Sequence, residues 1–398
     1  MSAPPVRPAA PAAPLRVGIV AGEHSGDQLG AALIGALRER VPALECFGIA
    51  GPKMVAAGCE AWASADSIAV MGLAEVVRHL PRLLRLRAGL TRRFLVARPD
   101  VFIGIDSPEF NLTLAGRLKR AGIRTVQYVS PQVWAWRQGR ARSIGRDCDL
   151  VLCLLPFESE FYAQHAVRAE FVGHPLADQI PLAVDTAGAR AALGIAAGAR
   201  VVALLPGSRM FEVAHLAAPL VAAAGWLRAR RPELEFIAPM ASRALRERFE
   251  SELAQGAENV RVRLIDGQAQ QVLAAADAAL VASGTATLET LLSGKPMVVA
   301  YKVSWLTYFI VRTLGLVKVP YFSQPNLLAG RRLVPEFQQD EVTGPALGAA
   351  LLAEIDDPAH VAGLRDEFAR IHAVLRRGGA GRAADAVLEC AGRAPVSR

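Results

Sequence analysis

The chain is 398 residues long, 52% hydrophobic and 21% charged, which excludes a disordered protein and leaves room for two domains with separate cores. Its formal net charge of +8 points to an anionic partner: nucleic acid, a negatively charged membrane or a phosphorylated small molecule. No run approaches the ~20 apolar residues that cross a bilayer, 303–311 being the longest suspect, so no membrane span is expected.

Segment 1–14 holds five prolines and five alanines without the apolar core of a signal peptide, and reads as a disordered leader. The five cysteines, at 46, 59, 148, 153 and 390, include no CxxC pair. They are expected as buried, reduced thiols, which suits the cytoplasm. The apolar run 15–21 ends at a loop holding Gly22, Glu23, Ser25, Gly26 and Asp27, and helical spacing follows over 27–40. The loop is not GxGxxG, and no Walker loop occurs in the chain. It reads either as a ligand loop at a strand's carboxyl end or as a tight turn with Asp27 or Ser25 capping the helix.

Residues 76–94 read VVRHLPRLLRLRAGLTRRF. Pro81 predicts an interruption, with a second helix presenting Leu83, Leu84, Leu86 and Leu90 beside several arginines. Such a face fits an anionic membrane surface or a core-packed helix with a solvated basic side. Strand-like runs recur at 100–105, 124–129 and 149–154. The first of these ends in Gly104-Ile105-Asp106-Ser107-Pro108. A carboxylate there can serve as a partly desolvated general base, or Asp106 can cap the helix that starts near Pro108. Tyr128, Trp134, Trp136 and Arg137 share the next loop, and Trp136 is a candidate for stacking on a sugar or acyl chain, with local core packing of at least one tryptophan as the alternative. His174 is read as a hinge ligand or a polar core residue.

A second βα series spans 200–205, 234–238, 260–265, 278–281 and 297–300. The chain is therefore α/β, with two Rossmann-like domains at 15–180 and 190–343, a boundary near 175–198, and helices over 344–398 packing back on the first domain. Gly207, Ser208 and Arg209 end the first strand of the second series, where a helix N-terminus and a guanidinium suit phosphate oxygens. Ser283, Gly284 and Thr285 repeat that design, with Glu289 one turn on as an acceptor for ribose hydroxyls. Asn326 lies in a third helix start. Together these loops suggest a nucleotide-diphosphate site. The seven histidines show no HxH or HExxH spacing, so no catalytic metal and no cofactor are expected.

The stretches AGEHSGDQLGAALI (21–34), GIAGPKMVAAGCEA (48–61), MGLAEVVRHLPRL (71–83), GIDSPEFN (104–111), YVSPQVWAWR (128–137), LPGSR (205–209), SGTATLE (283–289) and PNLLAG (325–330) together resemble the lipid-A-disaccharide synthase family. They run in order over nearly the whole chain from residue 15. Ser107, Glu109, Met210 and Phe211 vary beside the key residues and replace none. The resemblance implies a GT-B fold with an acceptor- and membrane-facing first domain and UDP in the second. It implies transfer from UDP-2,3-diacylglucosamine to 2,3-diacylglucosamine 1-phosphate, with inversion, giving a β-1,6 disaccharide and UDP. It makes Asp106 similar to the family's base and Arg209 to its diphosphate ligand; Glu289 and Asn326 follow from the general GT-B pattern. The implied partners are the UDP-sugar lipid donor, the acylated sugar phosphate acceptor and the inner membrane surface from the cytoplasmic side, with no nucleic acid. A homodimer stays open. A UDP-N-acetylglucosamine 2-epimerase-like enzyme and a non-catalytic glycolipid-binding protein are the alternatives.

Overall fold

A computed structural model describes residues 14–68, 73–256, 260–303 and 319–393. Almost all of the leader and of the run 303–311 thus lies outside the described residues. The chain divides into two compact units, one running to Pro175 and resuming at Arg377, the other covering Leu176–Arg376.

The first unit holds a sheet of β1 (Leu15–Ala21), β2 (Leu44–Ala50), β3 (Glu60–Ser64), β4 (Val101–Ile105), β5 (Arg124–Tyr128), β6 (Leu150–Cys153) and β7 (Ala169–Phe171). Their order is 3-2-1-4-5-6-7, and every pairing is parallel. In the inner strands β1, β4 and β6 the Val, Ile and Leu runs suit this, because strands covered on both faces need no polar alternation, while the edge strands β3 and β7 are only partly buried. On one face, Val17 and Ile19 pack with Leu33 and Leu37 of the helix Glu23–Arg40. On the other, Val20 and Phe102 meet Phe94, Phe110 and Leu114.

The second unit repeats the plan with β8 (Arg200–Leu205), β9 (Leu234–Met240), β10 (Val262–Asp266), β11 (Ala278–Ala282), β12 (Met297–Tyr301) and β13 (Glu336–Gln338), ordered 10-9-8-11-12-13 and again parallel. Each sheet therefore reverses its strand order once, between β1 and β4 and between β8 and β11. Ligands of open α/β sheets bind at the carboxyl ends of strands flanking such a reversal. Asp106 follows β4, and the Arg209 and Ser283 loops follow β8 and β11.

Three expectations change. Pro81 lies inside one helix, Leu73–Ala97, rather than at a break. It is exposed, so water can serve the carbonyl left without an N–H donor, while Leu90 and Phe94 farther on anchor the helix to the core. The helix Met210–Arg230 is long and apolar enough to span a bilayer, contrary to the reading that no stretch is. Its Val213, Leu216, Leu220 and Leu227 fill the second core, which accounts for the composition. Of the C-terminal helices, Gly344–Ile355 and Pro358–Leu375 belong to the second unit, and only Gly379–Cys390 returns to the first. There Ala383, Ala384 and Val387 join the core, and Asp385 accepts from Arg40 Nε at 2.6 Å. All five thiols are free and buried.

Candidate active site

In the first unit, the loops after β1, β4 and β5 leave from neighbouring strand ends, Ala21 lying beside Ile105 and Ile105 beside Tyr128. The helix after β1 starts at Glu23 with Gly22 as its N-cap, so Ser25 and Asp27 lie within it and neither caps it. A side chain at Gly22 would meet the Ser107 hydroxyl, 2.6 Å from where its Cβ would stand, so glycine there lets the two loops touch. Glu23 and Ser25 are exposed, and Gly26 is packed against Ala21 and Ile105. Asp27 serves a different end. It is buried, and its two oxygens accept the N–H groups of Lys53 and Met54, both at 2.9 Å, at the start of the helix Pro52–Ala56. Both oxygens thus serve that helix start.

Asp106 is no cap either. Ser107 takes the N-cap position of the helix Pro108–Arg120, and no side chain closes that cap. Both residues are left-handed, with φ of 50° and 41°. For non-glycine residues this costs about 1–3 kcal/mol each. The surroundings hold the turn: the Asp106 N–H donates to Tyr128 O at 2.9 Å, and the Asp106 carbonyl accepts from Asn111 Nδ2 at 2.8 Å and Gln127 Nε2 at 3.1 Å. Burial raises the Asp106 carboxyl above the ordinary aspartate range, against a smaller opposing effect of the Ser107 N–H. Such a group is a base that holds its proton more readily than a solvated carboxylate.

The loop after β5 separates its two tryptophans. Trp134 is buried and donates Nε1–H to Glu158 Oε1 at 3.2 Å, whereas Trp136 is exposed with the Arg137 guanidinium 4.2 Å from its ring. Glu158 is itself buried and accepts the N–H groups of Leu154 and Leu155 at 3.1 and 3.0 Å. Burial pushes its carboxyl up to about 7, with these donors opposing. It ties the loop after β6 to the loop after β5, and of the loop's two tryptophans Trp136 is the exposed one.

In the second unit, Val281 lies beside Leu205, so the Arg209 and Ser283 loops are neighbours. Gly207 is left-handed at φ 115°, and any side chain there would strike Glu212. Glu212 accepts the Ser208 and Arg209 N–H groups at 2.9 and 3.1 Å, as the capping box of the helix Met210–Arg230. The loop amides expected for phosphate are thus already engaged. What remains is the Arg209 guanidinium, largely exposed and 4.0 Å from Glu212.

Ser283 Oγ donates to Phe322 O at 3.2 Å, and Gly284, at φ 141°, is the N-cap of the helix Thr285–Leu292. Thr285 is exposed at its first turn. Glu289 receives no hydrogen bond on its carboxylate among the described residues, and burial raises its carboxyl. It is an open acceptor. Asn326 is not: fully buried, it donates to Val334 O at 2.9 Å and accepts from Leu333 and Val334 N–H at 2.7 and 2.8 Å, holding the turn before β13. Its place at the site is structural. Glu336 likewise binds the Phe322 and Ser323 N–H groups, fixing the start of the helix Gln324–Ala329.

A family model described as lipid-A-disaccharide synthetase matches residues 17–381. The chain belongs to that family. The lipid-A-disaccharide synthase of Alkalilimnicola ehrlichii is 52% identical over 380 residues, covering 95% of this chain and 99% of that one. That of Sodalis glossinidius is 53% identical over 377 residues, covering 95% and 98%. Among solved structures, the calicheamicin glycosyltransferase aligns over 96% of this chain and 100% of its own at 17% identity and TM-score 0.58. A UDP-N-acetylglucosamine 2-epimerase described as putative, from Listeria monocytogenes, aligns over 94% and 95% at 14% identity and TM-score 0.60. At such identities these two share the fold and nothing finer. The fold is GT-B, and the chain is a UDP-sugar glycosyltransferase of the lipid-A-disaccharide synthase family. For this synthase-family chain, sequence reading misses Asn111, Gln127, Glu158, Glu212 and Glu336. Asn111 lies inside the GIDSPEFN stretch, Gln127 directly before YVSPQVWAWR and Glu212 three residues after LPGSR, whereas Glu158 and Glu336 stand apart from any motif.

Proposed function

We propose that the chain transfers 2,3-diacylglucosamine from its UDP derivative to 2,3-diacylglucosamine 1-phosphate, with Asp106 as the base. Membership of the synthase family supports the two substrates, and the observation that carries the base is a partly buried carboxylate without a capping role, held in a left-handed turn at the strand reversal of the first sheet. Asp106 takes the proton of the acceptor 6-hydroxyl as that oxygen attacks the donor's anomeric carbon. The bond to UDP breaks with its electron pair on the diphosphate. Arg209 and the N-terminus of the helix after β11 stabilise the departing charge. Glu289 accepts from the ribose hydroxyls, and Trp136 packs on sugar or acyl chain. UDP release that requires both lipid substrates and survives excess EDTA is the expected result. Epimerisation of a UDP-sugar with no acceptor present would overturn the proposal.

We also propose that the helix Leu73–Ala97 docks on the cytoplasmic face of the inner membrane. The structure moves the apolar surface. Leu83, Leu86 and Leu90 pack on the core, while Leu80, Leu84, Leu95 and Val96 are exposed among the exposed arginines 82, 85, 92 and 93. Each basic residue near an anionic leaflet contributes about 1 kcal/mol. Leu80→Ser with Leu84→Ser should therefore reduce binding to vesicles of anionic phospholipid at unchanged melting temperature, and wild-type binding should weaken as salt rises. Leu83→Ser should instead lower the melting temperature. Undiminished vesicle binding by the Leu80/Leu84 variant would remove this helix from the docking surface.

A further inference from the structure

We propose that Asn111 and Gln127 are positioning residues for Asp106, and that position 104 is glycine in order to admit their two amides. The inference rests on the reading of Asp106 as the base. In the sheet register Gly104 of β4 lies beside Val20 of β1 and Gln127 of β5. Asn111 comes down on the same spot from the helix Pro108–Arg120. A Cβ at position 104 would stand 2.7 Å from the Asn111 Cβ and 3.2 Å from Gln127 Oε1, so a side chain there would displace both.

The two amides converge on one atom. Asn111 Nδ2 and Gln127 Nε2 donate to the Asp106 carbonyl at 2.8 and 3.1 Å. Asn111 also reaches Ile105 O at 3.2 Å, and Gln127 reaches Val129 O at 3.3 Å. Val129 is left-handed as well, at φ 74°, which is a rare state for a β-branched residue. Gln127 thus ties together the irregular ends of β4 and β5, at Asp106 and Val129. Holding the Asp106 carbonyl fixes the peptide plane between Asp106 and Ser107, and with it the direction of the Asp106 Cα–Cβ bond.

The other halves of the amides show what they are for. Asn111 and Gln127 are 0% and 1% exposed, yet Asn111 Oδ1 and Gln127 Oε1 have no hydrogen-bond partner among the described residues. Burying an amide with its oxygen unpaired is unfavourable. A pair carrying that cost fits a functional role for what the N–H groups hold: a base aimed and kept still, where a displacement of about 1 Å costs ~10²-fold in rate.

Steady-state kinetics of Gln127→Met and Asn111→Leu, each alone and combined with Asp106→Asn, test the proposal. Each single variant should lose roughly 10–10²-fold in kcat with the donor KM and UDP affinity unchanged. In the Asp106→Asn background neither should cost anything more, because no carboxylate remains to be aimed. Gly104→Ala should behave as the amide variants do. Wild-type kcat in Gln127→Met, or an equal further loss with and without the Asp106 carboxylate, would overturn the inference. If Asn111→Leu does not fold, Gln127→Met, close in length and volume, decides. Normal turnover by Asp106→Asn alone would instead sink the base assignment, a result distinct from a failure of the amides.

Discussion

Asp106→Asn is expected to lower kcat by at least ~10², since a positioned base contributes ~10²–10⁴-fold and an amide cannot take the proton. The change keeps size and shape, and Asp106 makes no cap that it would remove. The turn is held chiefly through the backbone carbonyl and N–H of residue 106, and the Ser107 N–H that meets its carboxylate can be accepted equally by an asparagine oxygen. Melting temperature and UDP affinity should therefore stay close to wild type. The pH profile carries a second expectation. The folded carboxyl binds its proton more tightly than an ordinary aspartate because it is buried. The active form is the deprotonated one, so kcat/KM should fall as pH drops through a value above the usual aspartate range. Near-normal turnover by Asp106→Asn would leave the residue a strained turn and no more.

Arg209→Ala should weaken UDP binding and slow transfer together. The ground state and the transition state both carry diphosphate charge, and more of it develops as the bond to the sugar breaks. A charge-assisted hydrogen bond is worth about 1.5–3 kcal/mol, or ~10–10²-fold in affinity. The exposure of the Arg209 side chain favours the lower end. Glu212 sharpens the expectation. It already takes the Ser208 and Arg209 N–H groups, so the guanidinium is the chief cation the loop has to offer. Equal UDP affinity by calorimetry, with a normal rate, would move the diphosphate elsewhere.

Nine strands were legible as short apolar runs followed by loop and helical material, whereas β2, whose run is broken by Glu45 and Gly48, and the edge strands β3, β7 and β13, which are short or carry polar residues, were not read. The candidate loops were legible for the same reason, since each stands at the carboxyl end of such a run. What local reading could not supply is the partner of each polar side chain. Asp27 looks like a ligand residue until the helix start at Lys53 and Met54 claims it, across 26 and 27 residues of sequence. Asn326 is claimed by the turn at 333–334. Gln127 sits in an apolar strand where nothing nearby announces that its amide will bind Asp106, 21 residues away. Pro81 misled in the other direction. Its local cost predicts a break, but Leu90 and Phe94 bury enough to keep the helix whole past an exposed proline.

The most direct measurement is the product itself. With the UDP-linked acylated glucosamine, the acylated glucosamine 1-phosphate and the full chain together, the anomeric proton coupling of the disaccharide can be read by NMR. One base and one in-line displacement predict a β-linked disaccharide and one UDP per linkage, formed only when both substrates are present. An α-linked product, or consumption of the UDP-sugar without the acceptor, would contradict the account.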